Sequence, residues 1–287
     1  MIIYLDNCHL QKVVQNPNLI LSEKLQTKEV TLIFSSCNFI ELTQRTDTKA
    51  IQMTASFLKN CEIKYLRSFD QILKRDVSIL LSGKTNLDWF SNNYSDCIFL
   101  GVNPNELEID LDLFQFFKLN PIDKIIELSL EDRSAFESLN DFEIKNLNQW
   151  VDDNKTYCRV NKNKYLNDVE KLRINKLIEN LLPTNCINAD NIKLIENSHK
   201  QDFLSFSFML YRQHIRHYDT NKKWSVNDLF DINQCAAIPF CDIFATDSDN
   251  ASEAEKTKQL FNSENQDLIT CQIVNTIEKL EYVNFTK

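Results

Sequence analysis

The chain has 287 residues, 43% hydrophobic and 25% charged, with a formal net charge of −9; this is the length and make-up of a globular protein with a large core, and not the basic footprint of a general polyanion binder. No run approaches the roughly 20 apolar residues of a membrane span, and the first residues lack the basic segment and cleavage site of a secretory signal, so no membrane association is expected. With two glycines, Gly83 and Gly101, neither a GxxxxGK[ST] phosphate loop nor a GxGxxG turn exists, which removes P-loop ATPases and conventional Rossmann dehydrogenases.

In chain order, Ile2-Ile3-Tyr4-Leu5 predicts a first strand, ended by Asp6. Residues 10–25 are polar and mixed, interrupted by Pro17. Residues 30–34 predict a second strand, residues 38–58 a helix free of Pro and Gly that carries Glu41, and residues 61–66 a third strand. From Asp70 to Tyr218 the pattern is helical, with stretches at 110–117, 134–151 and 165–182 and breaks at Pro104, Pro121 and Pro183. Ser225-Val226-Asn227-Asp228 has the S-x-x-D form of a helix start, and Pro239 follows that helix. Residues 243–246 predict a strand, Ser252-Glu253-Ala254-Glu255 starts a helix through Phe261, residues 271–274 predict a last strand, and residues 277–283 a closing helix. Alternating strands and helices point to an α/β three-layer sandwich with a central, mostly parallel sheet. It is expected to be one domain assembled from about 1–66 and 222–287, with 70–218 as a helical insertion.

In open parallel sheets, sites form beyond the carboxyl ends of the strands. Asp6 and Asp247 each end a strand, and Glu41 lies in the first turns of the helix after the second strand. Asp228 and Asp231 are three apart, on one face near a helix start, where negative charge is favoured. Asp228 occupies the third position of the capping box begun by Ser225, so Asp231 is the preferred site acid and Asp228 the second choice. Asp242 precedes its strand and belongs at the opposite edge. Carboxylates gathered at one edge repel one another, and a divalent cation is the usual remedy. Hard oxygen donors select Mg²⁺ or Mn²⁺. Asn7, Asn38 and Thr246 are the expected hydrogen-bonding neighbours.

The order IIYLDN, FIELTQ, NDLFDINQCAA and IFATD, closed by CQIVNTIEKLEYV, resembles the PIN-domain nucleases over about residues 1–66 and 222–285. The resemblance implies a PIN-like fold and metal-dependent phosphodiester hydrolysis, of single-stranded or structured RNA. It makes Asp6, Glu41, Asp231 or Asp228, and Asp247 the metal-binding and catalytic acids. It also implies a prokaryotic toxin or defence setting, with an antitoxin or a second copy of the chain as partner.

Substrate would need positive or aromatic contacts. Arg212 and Arg216, four apart on one helix face, lead towards Lys222 and Lys223 and read as a nucleic-acid rail. The competing reading is a buried helix whose C-terminal end carries basic residues. Two rival functions remain: a haloacid-dehalogenase-type phosphatase, which needs a second Asp where this chain has Cys8, and a PIN-like binding protein without activity. Nine scattered cysteines without a CxxC pair predict reduced thiols in a cytoplasmic protein, and neither a disulfide frame nor a zinc site.

Overall fold

Short apolar runs become strands because a parallel sheet covered on both faces leaves no strand face in water. The computed structural model describes residues 1–43, 47–83, 88–92, 134–160, 165–181, 188–219, 221–263 and 267–282; the helix expected at 110–117 and the breaks at Pro104, Pro121 and Pro183 lie outside them. Six strands are described: β1 (Ile2–Leu5), β2 (Thr31–Phe34), β3 (Glu62–Leu66), β4 (Phe90–Ser91), β5 (Ile243–Ala245) and β6 (Gln272–Val274). They form one sheet in the order β4-β3-β2-β1-β5-β6. All pairings are parallel except the two-residue β4, which runs antiparallel to β3. β4 was not expected from the sequence.

The first and last thirds of the chain meet in the middle of this sheet. β1 pairs with β5 through Leu5↔Ala245 and with β2 through Tyr4↔Ile33. Because successive side chains alternate between faces, Ile3 and Leu5 enter one core with Leu10, Val13, Leu21, Leu25 and Phe34. Tyr4, Ile33 and Phe244 enter another with Phe206, Phe208 and Tyr211. Across that second face the rings of Tyr4 and Phe244 stack 5.0 Å apart at 10°.

The first core is covered by α1 (Asn7–Gln15), α2 (Ile20–Gln26) and α4 (Thr48–Leu58), together with the 3₁₀ helix Ile277–Tyr282. α3 (Ser36–Thr43) precedes α4, so the single helix expected over 38–58 is two, the second capped by the Asp47 side chain accepting from the Ala50 amide. The second core is covered by α5 (Phe69–Ser82), by α7 (Tyr165–Leu181) and α8 (Ala189–Glu196), which follow α6 (Ser134–Val160), and by α9 (Leu204–Tyr218). Helices of the 70–218 segment thus form the layer over one sheet face. α10 (Val226–Gln234) continues into a 3₁₀ helix, Cys235–Phe240, that contains Pro239. α11 (Ser248–Asn262) starts four residues earlier than the sequence suggests, because Asp247 is its cap. No described helix is long and apolar enough to cross a membrane.

Phe244 is fully buried against Tyr4 in the central strand pair. Phe244→Ala is expected to cost about 3–5 kcal/mol, read as a fall in the urea midpoint. Leu172→Ala, at a position 37% exposed, should stay within about 0.5 kcal/mol.

Candidate functional site

β1 and β5 deliver their following residues side by side at the carboxyl edge. The Asp6 amide donates to Ala245 O at 2.9 Å, continuing the ladder one step past β1. The Asp247 amide then donates to Asp6 Oδ2 at 3.0 Å, so the two acids named from the sequence are joined directly. Each also caps a helix. Asp6 Oδ1 accepts from the His9 amide at 2.8 Å, and Asp247 Oδ1 accepts from Asp249 N at 2.8 Å and Asn250 N at 3.1 Å. Capping and site duty coexist because a carboxylate accepts more than one bond per oxygen.

Glu41 arrives from α3, the helix that follows the neighbouring strand β2. Asn7 Nδ2 donates to its Oε2 at 2.7 Å, and Gln234 Nε2, from the end of α10, to its Oε1 at 2.6 Å. Asn7 thus contacts Glu41 directly. Asn38 and Thr246 act one layer deeper. Asn38 donates to Leu5 O at 2.9 Å and accepts from Ser35 N at 2.9 Å, tying the ends of β1 and β2 together. Thr246 Oγ1 accepts from Asn250 Nδ2 at 3.0 Å, bracing the start of α11. Both are fully buried.

Asp228 and Asp231 differ in their partners. Asp228 is consumed by structure: it completes the capping box with Ser225, and it pairs with Arg216, whose Nε donates to Oδ1 at 2.9 Å. Burial alone would raise its pKa, but Arg216 and Ser225 outweigh burial and hold it below the ordinary range. Asp231 belongs to the other acids instead. Burial first, then the charge of Asp247, push its pKa up to about 7; Arg212 opposes, while Asp228 and Asp6 add to the rise. Glu41 is likewise pushed up to about 7, by burial, then Asp6, then Asp231, against the bonds from Asn7 and Gln234. Asp6 goes the other way. Its burial is outweighed by His9, whose Nδ1 sits 2.8 Å from Oδ1, so its pKa falls below the usual value. Asp6, Glu41, Asp231 and Asp247 thus share one field, with Asp247 exposed at the rim and Asp6 buried in the floor. Asp242 lies at the other edge, where its Oδ2 accepts from the Ile2 amide at 2.8 Å.

The nucleic-acid rail is corrected by burial. Arg212 and Arg216 are 2% and 1% exposed. Arg212 Nη2 pairs with Glu253 of α11 at 2.5 Å, and Arg216 also donates to the carbonyls of Asp219 and Lys223. Both hold α9 to its neighbours, and neither is presented to a strand of RNA. Lys222 and Lys223 remain exposed. His9 and Gln234 were missed by sequence reasoning. His9 had a local signal, three residues after a helix cap, whereas Gln234 meets Glu41 across 193 positions and had none.

The four carboxylates fit a hard divalent cation in kind, as oxygen donors. Among the described residues, the only trio of metal-type donors with ligand atoms all within 4.8 Å of one another is Asp6, Cys8 and His9; the carboxylates are set wider. Mg²⁺ keeps several waters and takes only one or two carboxylates directly, so wider acids still serve it through water. No family model matches the chain, and neither does any curated protein or solved structure.

Two outcomes are expected. Glu41 and Asp231 have folded pKa values above their unfolded ones, so the folded state binds more protons than the unfolded one over that interval. Stability from these groups is present at low pH and is lost as pH rises from the ordinary carboxylate range through about 7. Without divalent cations, Asp231→Asn should therefore raise Tm at pH 8 by several degrees, at about 2–4 °C per kcal/mol, and the gain should shrink steadily towards pH 4. Asp228→Ala, which strands the buried Arg216, should instead cost about 3–5 kcal/mol, while Lys222→Ala, at an exposed pair, should change stability by less than about 1 kcal/mol.

Proposed function

We propose that the chain is a metal-dependent nuclease of PIN-like fold that hydrolyses phosphodiester bonds, with RNA as its substrate. One observation supports this reading: at the carboxyl edge of the parallel sheet, burial first and then the charges of neighbouring acids (Asp6 and Asp231 on Glu41, Asp247 and Asp6 on Asp231) push Glu41 and Asp231 up to about 7. Burial of acids beside one another is a cost that a structural role does not require, and a bound cation offsets it. The sheet order places β1 between β2 and β5, so acids following all three strands meet at one edge, as the resemblance requires.

When bound, Mg²⁺ or Mn²⁺ would supply a strong nucleophile from water near neutral pH and stabilise charge on the phosphate and the leaving oxygen. The chain's own residues do the rest. Asp6 is oriented by His9 and by the Asp247 amide, and so presents its carboxylate in a set direction. Asp247 lies at the exposed rim and Asp231 faces it from α10; with Asp6 they are the acids that would hold the cation. Glu41 is fixed at both oxygens by Asn7 and Gln234. Held in that position, its carboxylate would take a proton at Oε from the attacking water. Lys222 and Lys223, exposed before α10, would meet the phosphate backbone.

The test is cleavage of an end-labelled single-stranded RNA with Mn²⁺, Mg²⁺ or chelator. Asp6→Asn and Asp247→Asn should each reduce cleavage by more than the roughly 10–100-fold that loss of a supporting bond costs at a metal site. Chelator should abolish it. Metal-dependent RNA binding without cleavage would instead favour a binding protein, and phosphate release from small phosphomonoesters a phosphatase.

A further inference from the structure

Cys8 has no part in the acid site described above, yet it sits against it. Its Sγ is 3.1 Å from His9 Nδ1, and that nitrogen is 2.8 Å from Asp6 Oδ1. All three come from the cap and first turn of α1. His9 is 1% exposed, and its other ring nitrogen, Nε2, has no hydrogen-bond partner among the described residues. Its buried imidazole is therefore committed through Nδ1 alone, towards the carboxylate and the thiol.

These donors have a different preference from the four carboxylates. Sulfur and imidazole nitrogen suit zinc and metals of similar softness, whereas Mg²⁺ and Mn²⁺ prefer oxygen. With bonds near 2.0 Å to nitrogen and oxygen and 2.3 Å to sulfur, tetrahedral zinc sets its ligand atoms roughly 3.3–3.5 Å apart. The two separations at His9 Nδ1, 3.1 Å to Cys8 Sγ and 2.8 Å to Asp6 Oδ1, need to open by only about half an ångström. Cys8 is exposed at the surface, so its side chain has room to make that adjustment. Asp247, whose amide donates to Asp6 Oδ2 at 3.0 Å, is the natural fourth ligand.

We propose that Asp6, Cys8 and His9 form a thiophilic cation site that takes Zn²⁺ and shares Asp6 with the oxygen-lined site. Coordination replaces the S–H proton of Cys8, which leaves to solvent. The carboxylates of Asp6 and of Asp247, whose amide donates to Asp6 Oδ2, supply the negative charge that attracts that cation. The zinc site does not rest on the nuclease reading. Its consequence does: Zn²⁺ would compete with Mg²⁺ for Asp6 and inhibit cleavage.

Co²⁺, a spectroscopic substitute for zinc, tests the site on the full chain under reducing conditions. The wild-type protein should show a near-ultraviolet thiolate-to-cobalt absorption band that one equivalent of Zn²⁺ removes. Cys8→Ser should lack the band and bind Zn²⁺ at least tenfold more weakly, as measured by competition with a chromophoric chelator, with an unchanged circular dichroism spectrum. Asp231→Asn, outside the trio, should keep both signals. Absence of the band in the wild type, or a Cys8→Ser protein with undiminished Zn²⁺ affinity, would overturn the proposal. A zinc-binding protein that cleaves nothing would leave this site standing and count against the nuclease; cleavage without the band would do the reverse.

Discussion

Like charges held close together without a counter-charge are the constraint around which the carboxyl edge is built. Asp6, Glu41, Asp231 and Asp247 come from four different segments, and beyond the effect of burial Asp6, Asp231 and Asp247 make ionisation of Glu41 or Asp231 harder. The fold gives Asp6 and Glu41 local compensation. His9 and the Asp247 amide support Asp6, and Asn7 and Gln234 support Glu41. Hydrogen bonds to the charged form offset part of the desolvation cost, and the remainder stays as the raised pKa values of Glu41 and Asp231.

Holding the acids in place requires rigidity behind them. The stacked Tyr4 and Phe244 lock β1 to β5 immediately before Asp6 and Asp247. Asn38 links the ends of β1 and β2, so Glu41 cannot drift from Asp6 without breaking buried bonds. Below α10, Arg216 binds Asp228, and Arg212 joins α9 to α11 through Glu253. These buried ion pairs sit beside the acid site and fix the helices that carry Asp231 and follow Asp247. A buried arginine left without its carboxylate is costly, so each pair constrains where its helix goes.

The strands were legible because a central parallel strand must be apolar on both faces, and residues 2–5, 30–34 and 243–246 satisfy that in isolation. The Ser225–Asp228 capping box was legible for the same local reason, since its bonds span three residues. Other features depended on context. Ser252 looked like a helix start, but Asp247 accepts from two amides and begins the helix at Ser248. Arg212 and Arg216 were correctly placed on one helix face; periodicity says which residues share a face, not whether that face meets water or another helix. Here it meets α10 and α11. The two-residue β4 is too short to carry a periodic signal.

Sequence by itself determined the local grammar of this protein: which runs extend, which side chains cap the turns after them, and which acids stand at strand ends. Those choices rest on interactions between residues a few positions apart. Only the tertiary structure decided that Asp231 joins the acids while Asp228 goes to Arg216, that Gln234 reaches Glu41, and that the basic face of α9 lies inside. Electrostatic energy depends on distance through space and on the surrounding medium, and both are set by how the chain packs rather than by the order of its residues.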